Sequence, residues 1–269
     1  MSAPPGRLVL LGHPVAHSLS PTFQNAALRR AGIAVRYEAM DVAPAELARA
    51  AARLRTEGWS GNVTVPHKEA FAALCDRRTP IADRVGAVNT FWVDDGMLVG
   101  DNTDVGGFEQ AVDAAFGAAR SWPRVALLGA GGASAAIAAA AERWTGSAVA
   151  VWSRNAARAA RLADRFGCVE RAASIEDALA GASLVVHATP LGLHEGDAYP
   201  VPVAALPSRA CVFDLVYARG GTRWVRAARA AGHPADDGLG MLIAQGALAF
   251  ERWFGMVPDR EVMWASVNG

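Results

Sequence analysis

The sequence predicts an α/β fold in two lobes, and three observations carry that prediction. Short apolar runs alternate with helical segments along the chain, as strands joined by crossover helices do. The stretch RVALLGAGGASAAIAAAA, residues 124–141, reads as a buried strand, a glycine turn and an alanine-rich helix. A second apolar run, SAVAVW at 147–152, follows it as a βαβ unit requires.

Taken in order, residues 1–6 read as a frayed tail and 7–11 as a short strand. The loop HPVAHSLSP at 13–21 ends in a helix start: Ser20 suits the N-cap, Pro21 the first helical position, and Gly32 closes a helix running to about Arg30. Residues 35–40 form a strand and 44–56 a helix begun in the same way. A third strand at 60–65 follows, and Pro66 opens another helix. The alternation predicts a parallel sheet. Runs at 87–93 and 97–101 flank Asp94-Asp95-Gly96, whose Asp-Gly pair signals a hairpin. An amphipathic helix covers 104–116, and Ser121-Trp122-Pro123 breaks the pattern before the glycine turn.

Beyond the βαβ unit come a helix at 156–166 and strands at 184–188 and 210–214. The loop between those strands, 189–208, holds Pro190, Pro200, Pro202 and Pro207. Helices follow at 222–231, at 241–254 behind Gly238-Leu239-Gly240, and near 259–266. The chain is expected to cross between lobes near 105–108 and return near Gly238. Ligands of open α/β sheets sit beyond the strand carboxyl ends. Residues 18–20, 64–68 and 129–133, with Asn89, Asp104 and Tyr217, all follow predicted strands, so they are expected to converge on one cleft.

The glycine turn has a readable chemistry. Gly129 allows the tight exit from the strand, and Gly131 leaves room for a diphosphate to approach the backbone. Ser134, small but not glycine, stands at the third fingerprint position, so the motif is met loosely. The helix start offers unpaired N–H groups and the positive end of a dipole. Methyltransferases and plain packing turns share this pattern. NAD binders place an acidic residue at the tip of the second strand; here the tip is Ser153-Arg154-Asn155, with Arg158 one turn on. A carboxylate would repel a 2′-phosphate, whereas a guanidinium pairs with it, so the site reads as one for NADP(H). The plainer alternative is a solvated arginine cluster at a helix start.

Composition excludes several classes. The 269 residues are 52% hydrophobic and 19% charged, enough for sizeable cores. Lys+Arg and Asp+Glu number 26 each, so no basic field invites nucleic acid or an acidic membrane. Cys75, Cys168 and Cys211 form neither a zinc pattern nor a disulfide framework. His13, His17, His194 and His233 are loop residues without metal spacing, so no metal site is expected. The apolar run LVLLG is too short for a signal peptide, and a cytoplasmic protein is expected.

Lys68 follows Gly61-Asn62-Val63-Thr64-Val65-Pro66-His67 and projects from the first turn of a helix, where the dipole disfavours positive charge. That placement suggests a function, against the plain reading of a solvated lysine. Asp104 lies in Asp101-Asn102-Thr103-Asp104, where an aspartate also suits an N-cap, so capping could be all that one of these two does. A lysine and an aspartate in one cleft can form a proton-transfer pair beside a nicotinamide.

The motifs SLSP, NVTVPHK, GAVNT, DNTD, GAGGAS, ATPLG and GLGMLIAQGALAF, in that order from about His13 to Phe254, closely resemble the shikimate dehydrogenase family. The resemblance implies reversible, NADP-dependent reduction of 3-dehydroshikimate to shikimate, in the pathway to chorismate and the aromatic amino acids. It implies an N-terminal substrate lobe, residues 1–105 completed by helices in 239–269, and a Rossmann-like NADP lobe at 106–238. Lys68 matches the family's catalytic lysine and Asp104 its partner. Ser18 and Ser20 match the hydroxyls that hold the substrate carboxylate; Thr64, Asn89, Tyr217 and Gln245 match other substrate contacts. Gly129, Ala130, Gly131, Gly132, Ala133, Ser153, Arg154, Asn155, Arg158, Thr189 and Gly238 match cofactor contacts. A monomer or homodimer is expected.

Four positions depart from the usual pattern. Gln24-Asn25 stands where His-Asn is common, and Ser153-Arg154-Asn155 where Asn-Arg-Thr is common. His187 replaces a common asparagine before Ala-Thr-Pro, and Ala218-Arg219-Gly220-Gly221 follows Tyr217 where Asn-Pro is frequent. The alternatives are a quinate/shikimate dehydrogenase using NAD(P), or a non-catalytic NADPH-binding regulator on the same fold. SLSP and Arg154 argue against the first, and the presence of both Lys68 and Asp104 against the second.

Overall fold

The structure, a computed structural model, describes residues 5–194 and 196–268. The first four residues of the expected tail lie outside the described residues. The chain divides into two compact units, Met1–Gly107 with Leu242–Gly269, and Phe108–Met241.

In the first unit, β1 (Leu8–Gly12) pairs in parallel with β2 (Tyr37–Asp41) and β3 (Ser60–Val63). Val9 and Leu11 pack with Leu47, Leu54, Val63 and Phe71, while Leu8 and Leu10 pack with Phe23, Leu28, Phe250 and Trp253. Alternate side chains of a strand point to opposite faces, so a strand covered on both reads as one unbroken apolar run. The helices that cover it are α1 (Ser20–Arg30), α2 (Leu47–Glu57, behind a 3₁₀ turn at Pro44–Glu46), and α3 (Lys68–Ala72). Further along come β4 (Arg77–Arg78), α4 (Pro80–Val85), β5 (Thr90–Asp94), β6 (Met97–Asp101) and α5 (Asp104–Phe116), which passes into the second unit at Phe108. The sheet order is β2-β1-β3-β5-β6-β4.

Several local expectations are corrected. The sheet is mixed, because β5 runs antiparallel to both β3 and β6. A tight hairpin makes the β5–β6 pair: Asp95 and Gly96 both take positive φ, 48° and 75°. The third strand stops at Val63, and residues 87–89 leave the strand pattern. Pro66 lies in a turn, and α3 begins only at Lys68. Ser20 is not an N-cap: Leu19 holds that position without a side-chain bond, and Ser20 is the first helical residue. The hydroxyl that takes the Ser20 N–H, at 3.2 Å, is that of Ser18.

The second unit holds the order β12-β11-β10-β7-β8-β9, all pairs parallel. Its elements are β7 (Arg124–Leu128), α6 (Gly132–Ala141), β8 (Ala148–Trp152), α7 (Ala156–Arg165), β9 (Val169–Arg171), α8 (Ile175–Leu179), β10 (Leu184–His187), β11 (Cys211–Asp214), α9 (Arg223–Ala230) and β12 (Ala235–Asp237). Short elements such as β9, α8 and β12 have no readable period, which is why the sequence leaves them as loop. Ala126, Leu128, Val185, Val212, Trp224 and Val225 pack in one core cluster. Then α10 (Leu239–Phe254) leads back to the first unit, which ends with α11 (Arg260–Asn268). Among the described residues no helix is long and apolar enough to cross a membrane.

Candidate active site

Two helix starts meet in the first unit. Lys68 opens α3 and Asp104 opens α5, and Lys68 Nζ donates to Asp104 Oδ2 at 2.6 Å. The lysine side chain is 16% exposed and the aspartate 5%. A half-hidden pair of this kind is costly to break, because an unpaired buried charge is left behind.

Neither aspartate of Asp101-Asn102-Thr103-Asp104 caps α5 in the expected way. Asn102 Oδ1 accepts the N–H of Asp104 at 3.1 Å. Asp101 accepts from Asn102 N at 2.8 Å, the Thr79 hydroxyl at 2.5 Å and Arg252 Nε at 2.7 Å. The carboxylate of Asp104 is thereby left to Lys68 and to Asn89, whose Nδ2 donates to Asp104 Oδ1 at 2.7 Å.

Asn89 is the hub. Its Nδ2 also approaches Thr103 Oγ1 at 3.0 Å and Gln245 Oε1 at 3.2 Å, while its Oδ1 accepts Thr103 N at 2.7 Å. An amide nitrogen has two hydrogens, so three acceptors leave the longest contact, that to Gln245, the weakest. Gln245 comes this close because Gly107 has no side chain: a Cβ there would lie 2.7 Å from Gln245 Cβ. The Gln245 amide donates to Leu242 O at 2.7 Å, which leaves its Oε1 facing Asn89 with acceptor capacity to spare.

A buried polar chain joins this cluster to Ser20. Tyr37 Oη donates to Asn62 Oδ1 at 2.8 Å, and Asn62 Nδ2 donates to Thr90 Oγ1 at 2.9 Å and Asn89 O at 3.0 Å. Burial pushes the Tyr37 phenol well above its ordinary value, with a side-chain hydrogen bond to Ser20 pulling it back. Tyr37, Asn62, Thr90 and Thr103 were not singled out from the sequence. Asn62 carried a signal, since a polar residue inside a buried strand needs a partner. Ser18 is half-buried and follows β1; Thr64 is half-buried and follows the neighbouring β3, its N–H bonded to Leu11 O at 2.8 Å. His67 is buried, and its Nε2 donates to Val42 O at 2.7 Å, a structural role.

The remaining predicted residues belong to the second unit. Gly129 takes φ +124°, and a Cβ on it would stand 2.6 Å from Ala188 O. Only glycine fits there. Gly131 caps α6, has nothing within 4 Å of where a Cβ would stand, and donates its N–H to Ser134 Oγ at 3.1 Å. Gly131, Gly132 and Ala133 are half-buried, as is Ala130. At the tip of β8, Ser153 Oγ accepts Asn155 N at 3.2 Å, and Asn155 Oδ1 caps α7 by accepting Arg158 N at 3.1 Å. Arg154 and Arg158 are exposed. Thr189 follows β10, Tyr217 follows β11, and Gly238 follows β12 with its N–H on Val216 O at 3.2 Å. An open glycine turn, a helix start and two exposed guanidinium groups suit a phosphorylated dinucleotide.

Comparison with known proteins shows the family. The family described as the shikimate dehydrogenase substrate binding domain matches residues 10–91, and the shikimate 5′-dehydrogenase C-terminal domain matches 238–267. The shikimate dehydrogenase (NADP(+)) of Mesorhizobium japonicum is 44% identical over 92% of this chain and 90% of its own length. Shikimate dehydrogenase from Aquifex aeolicus superposes with a TM-score of 0.91 at 33% identity, covering 100% of both chains. The Thermus thermophilus shikimate 5-dehydrogenase, solved with NADP(H) and shikimate, gives 0.88 at 42% identity over 97% of both chains. Sequence and fold agree along the whole chain, and the chain belongs to the shikimate dehydrogenase family.

Proposed function

We propose that the protein is an NADP-dependent shikimate dehydrogenase, reversibly reducing 3-dehydroshikimate to shikimate on the way to chorismate and the aromatic amino acids. The Lys68–Asp104 pair carries this reading: a lysine at a helix start, held at 2.6 Å by a carboxylate whose other oxygen takes the Asn89 amide, is placed for proton transfer. The first unit serves as the substrate lobe and the second as the NADP lobe, in a cytoplasmic enzyme.

Ser18 and Ser20 hold the substrate carboxylate by hydroxyl donation, without a permanent opposite charge, Ser20 turning its hydrogen from Tyr37 to the ligand. Thr64, Asn89, Tyr217 and Gln245 read the ring hydroxyls by direction, which rejects analogues lacking them. In the second unit, residues 129–133 with Gly238 and Thr189 hold the dinucleotide. Ser153, Arg154, Asn155 and Arg158 hold the 2′-phosphate. Bound there, NADP(H) supplies the hydride exchanged with the substrate carbon. Lys68 spends one N–H on Asp104 and keeps two for the substrate oxygen. It gives that oxygen a proton as the carbonyl is reduced and removes one in the reverse direction. Asp104 keeps the ammonium aimed, and Asn89 keeps Asp104 in place.

The test is absorbance of the reduced nicotinamide with shikimate or quinate, each paired with NADP or NAD. Shikimate with NADP should turn over fastest. A faster reaction with quinate and NAD would overturn the assignment, and tight NADPH binding without turnover would point to a regulator.

A further inference from the structure

His187, where the family commonly has asparagine, ends β10 and is wholly buried. Its Nδ1 lies 2.9 Å from Asp214 Oδ1 and its Nε2 lies 2.5 Å from Thr189 Oγ1. Asp214 also accepts Val216 N at 3.0 Å on Oδ1 and the Thr222 hydroxyl at 2.8 Å on Oδ2. Both carboxylate oxygens are acceptors, so the hydrogen of the shared contact sits on His187 Nδ1. In a neutral ring Nε2 is then bare and takes the Thr189 hydroxyl hydrogen. Thr189 Oγ1 accepts Leu191 N at 3.3 Å, which closes the turn at 189–191. That turn packs on the glycine turn: Thr189 Cγ2 lies 3.2 Å from where a Cβ on Gly129 would stand. Leu191 and Asp214 line a cavity of about 270 Å³ with Ala218, Thr222 and Trp224.

We propose that His187, braced by Asp214, is a positioning residue that fixes the Thr189 hydroxyl as a hydrogen-bond acceptor toward the dinucleotide. The inference rests on the NADP reading above and sharpens it. With its hydrogen committed to Nε2, Thr189 keeps a lone pair for a donor, which means a ribose hydroxyl or the carboxamide N–H of the nicotinamide. A phosphate oxygen only accepts, so Thr189 does not serve the phosphates; those fall to the N–H groups of the glycine turn.

The experiment measures NADP(H) affinity by calorimetry for the wild type, Thr189→Val, Thr189→Ser, His187→Ala and the Thr189→Val/His187→Ala double variant. Thr189→Val is close to isosteric at a half-buried position, so it keeps the inference testable should His187→Ala fail to fold. Each single loss should weaken binding about ten-fold, the double variant no further, and Thr189→Ser should restore it. In the wild type, ¹⁵N spectra of the imidazole should show Nδ1 protonated and Nε2 bare. Repeating the titration with 2′-phospho-ADP-ribose separates the two donors: the Thr189→Val loss persists for a ribose hydroxyl and vanishes for the carboxamide. Additive losses, full affinity in Thr189→Val, or a ring protonated on both Nδ1 and Nε2 would overturn the proposal while leaving the dehydrogenase reading intact. A wild-type protein that binds no dinucleotide would overturn both.

Discussion

Lys68 and Asp104 stand 36 positions apart, yet each is the first residue of its helix and they meet at 2.6 Å. A helix start repels a cation and favours an anion. Asp104 is therefore at home, and its carboxylate offsets the poor position of Lys68. Changing Lys68→Ala should lower kcat by roughly 10²–10⁴-fold with little change in KM. Near-normal turnover would remove Lys68 from the chemistry.

Ser20 is buried and Ser18 takes its N–H, so the two serines act as one loop. Ser18→Ala combined with Ser20→Ala should raise the KM for shikimate roughly ten- to hundred-fold, the range for losing hydrogen bonds to a charged group. If KM stays where it was, the carboxylate binds elsewhere.

Arg154 is exposed beside the Asn155 cap, free of any structural duty to the cap itself. Its removal in Arg154→Ala should weaken NADP binding about ten-fold or more and leave NAD almost untouched. Equal losses for both cofactors, read by titration, would refute a 2′-phosphate clamp.

Glu109 on α5 lies 3.2 Å from Arg143, yet its carboxyl is pushed above the usual range by burial, with Arg143 pulling it down and Asp113 adding to the rise. A carboxyl raised on folding holds its proton better in the folded chain. Its contribution is complete below the ordinary glutamate value and is lost as pH climbs through the folded one. The always-neutral Glu109→Gln should thus have the higher Tm near neutral pH, with the margin closing toward about pH 4. A lower Tm for the variant near neutrality would show that the ion pair outweighs burial.

Much of this is legible in the sequence alone. The β7–turn–α6 unit was readable because apolar runs, glycines and alanines signal their states locally. Lys68 was conspicuous because a cation at a helix start breaks a local rule. Ser20 misled, since its good N-cap chemistry is overridden by the Ser18 hydroxyl and by Tyr37. Asn155 had the same kind of chemistry and does cap its helix.

What residue order along the chain carries is periodicity and turn chemistry, and from these come the α/β alternation, the glycine turn and the helix starts. It does not carry partner choice. Asn102 rather than an aspartate takes the first N–H of α5, Asn89 reaches Gln245 across 156 positions, and His187 finds Asp214 across 27. A buried polar group must find a partner, but which partner depends on the strands and helices that folding brings beside it, and those are distant in sequence.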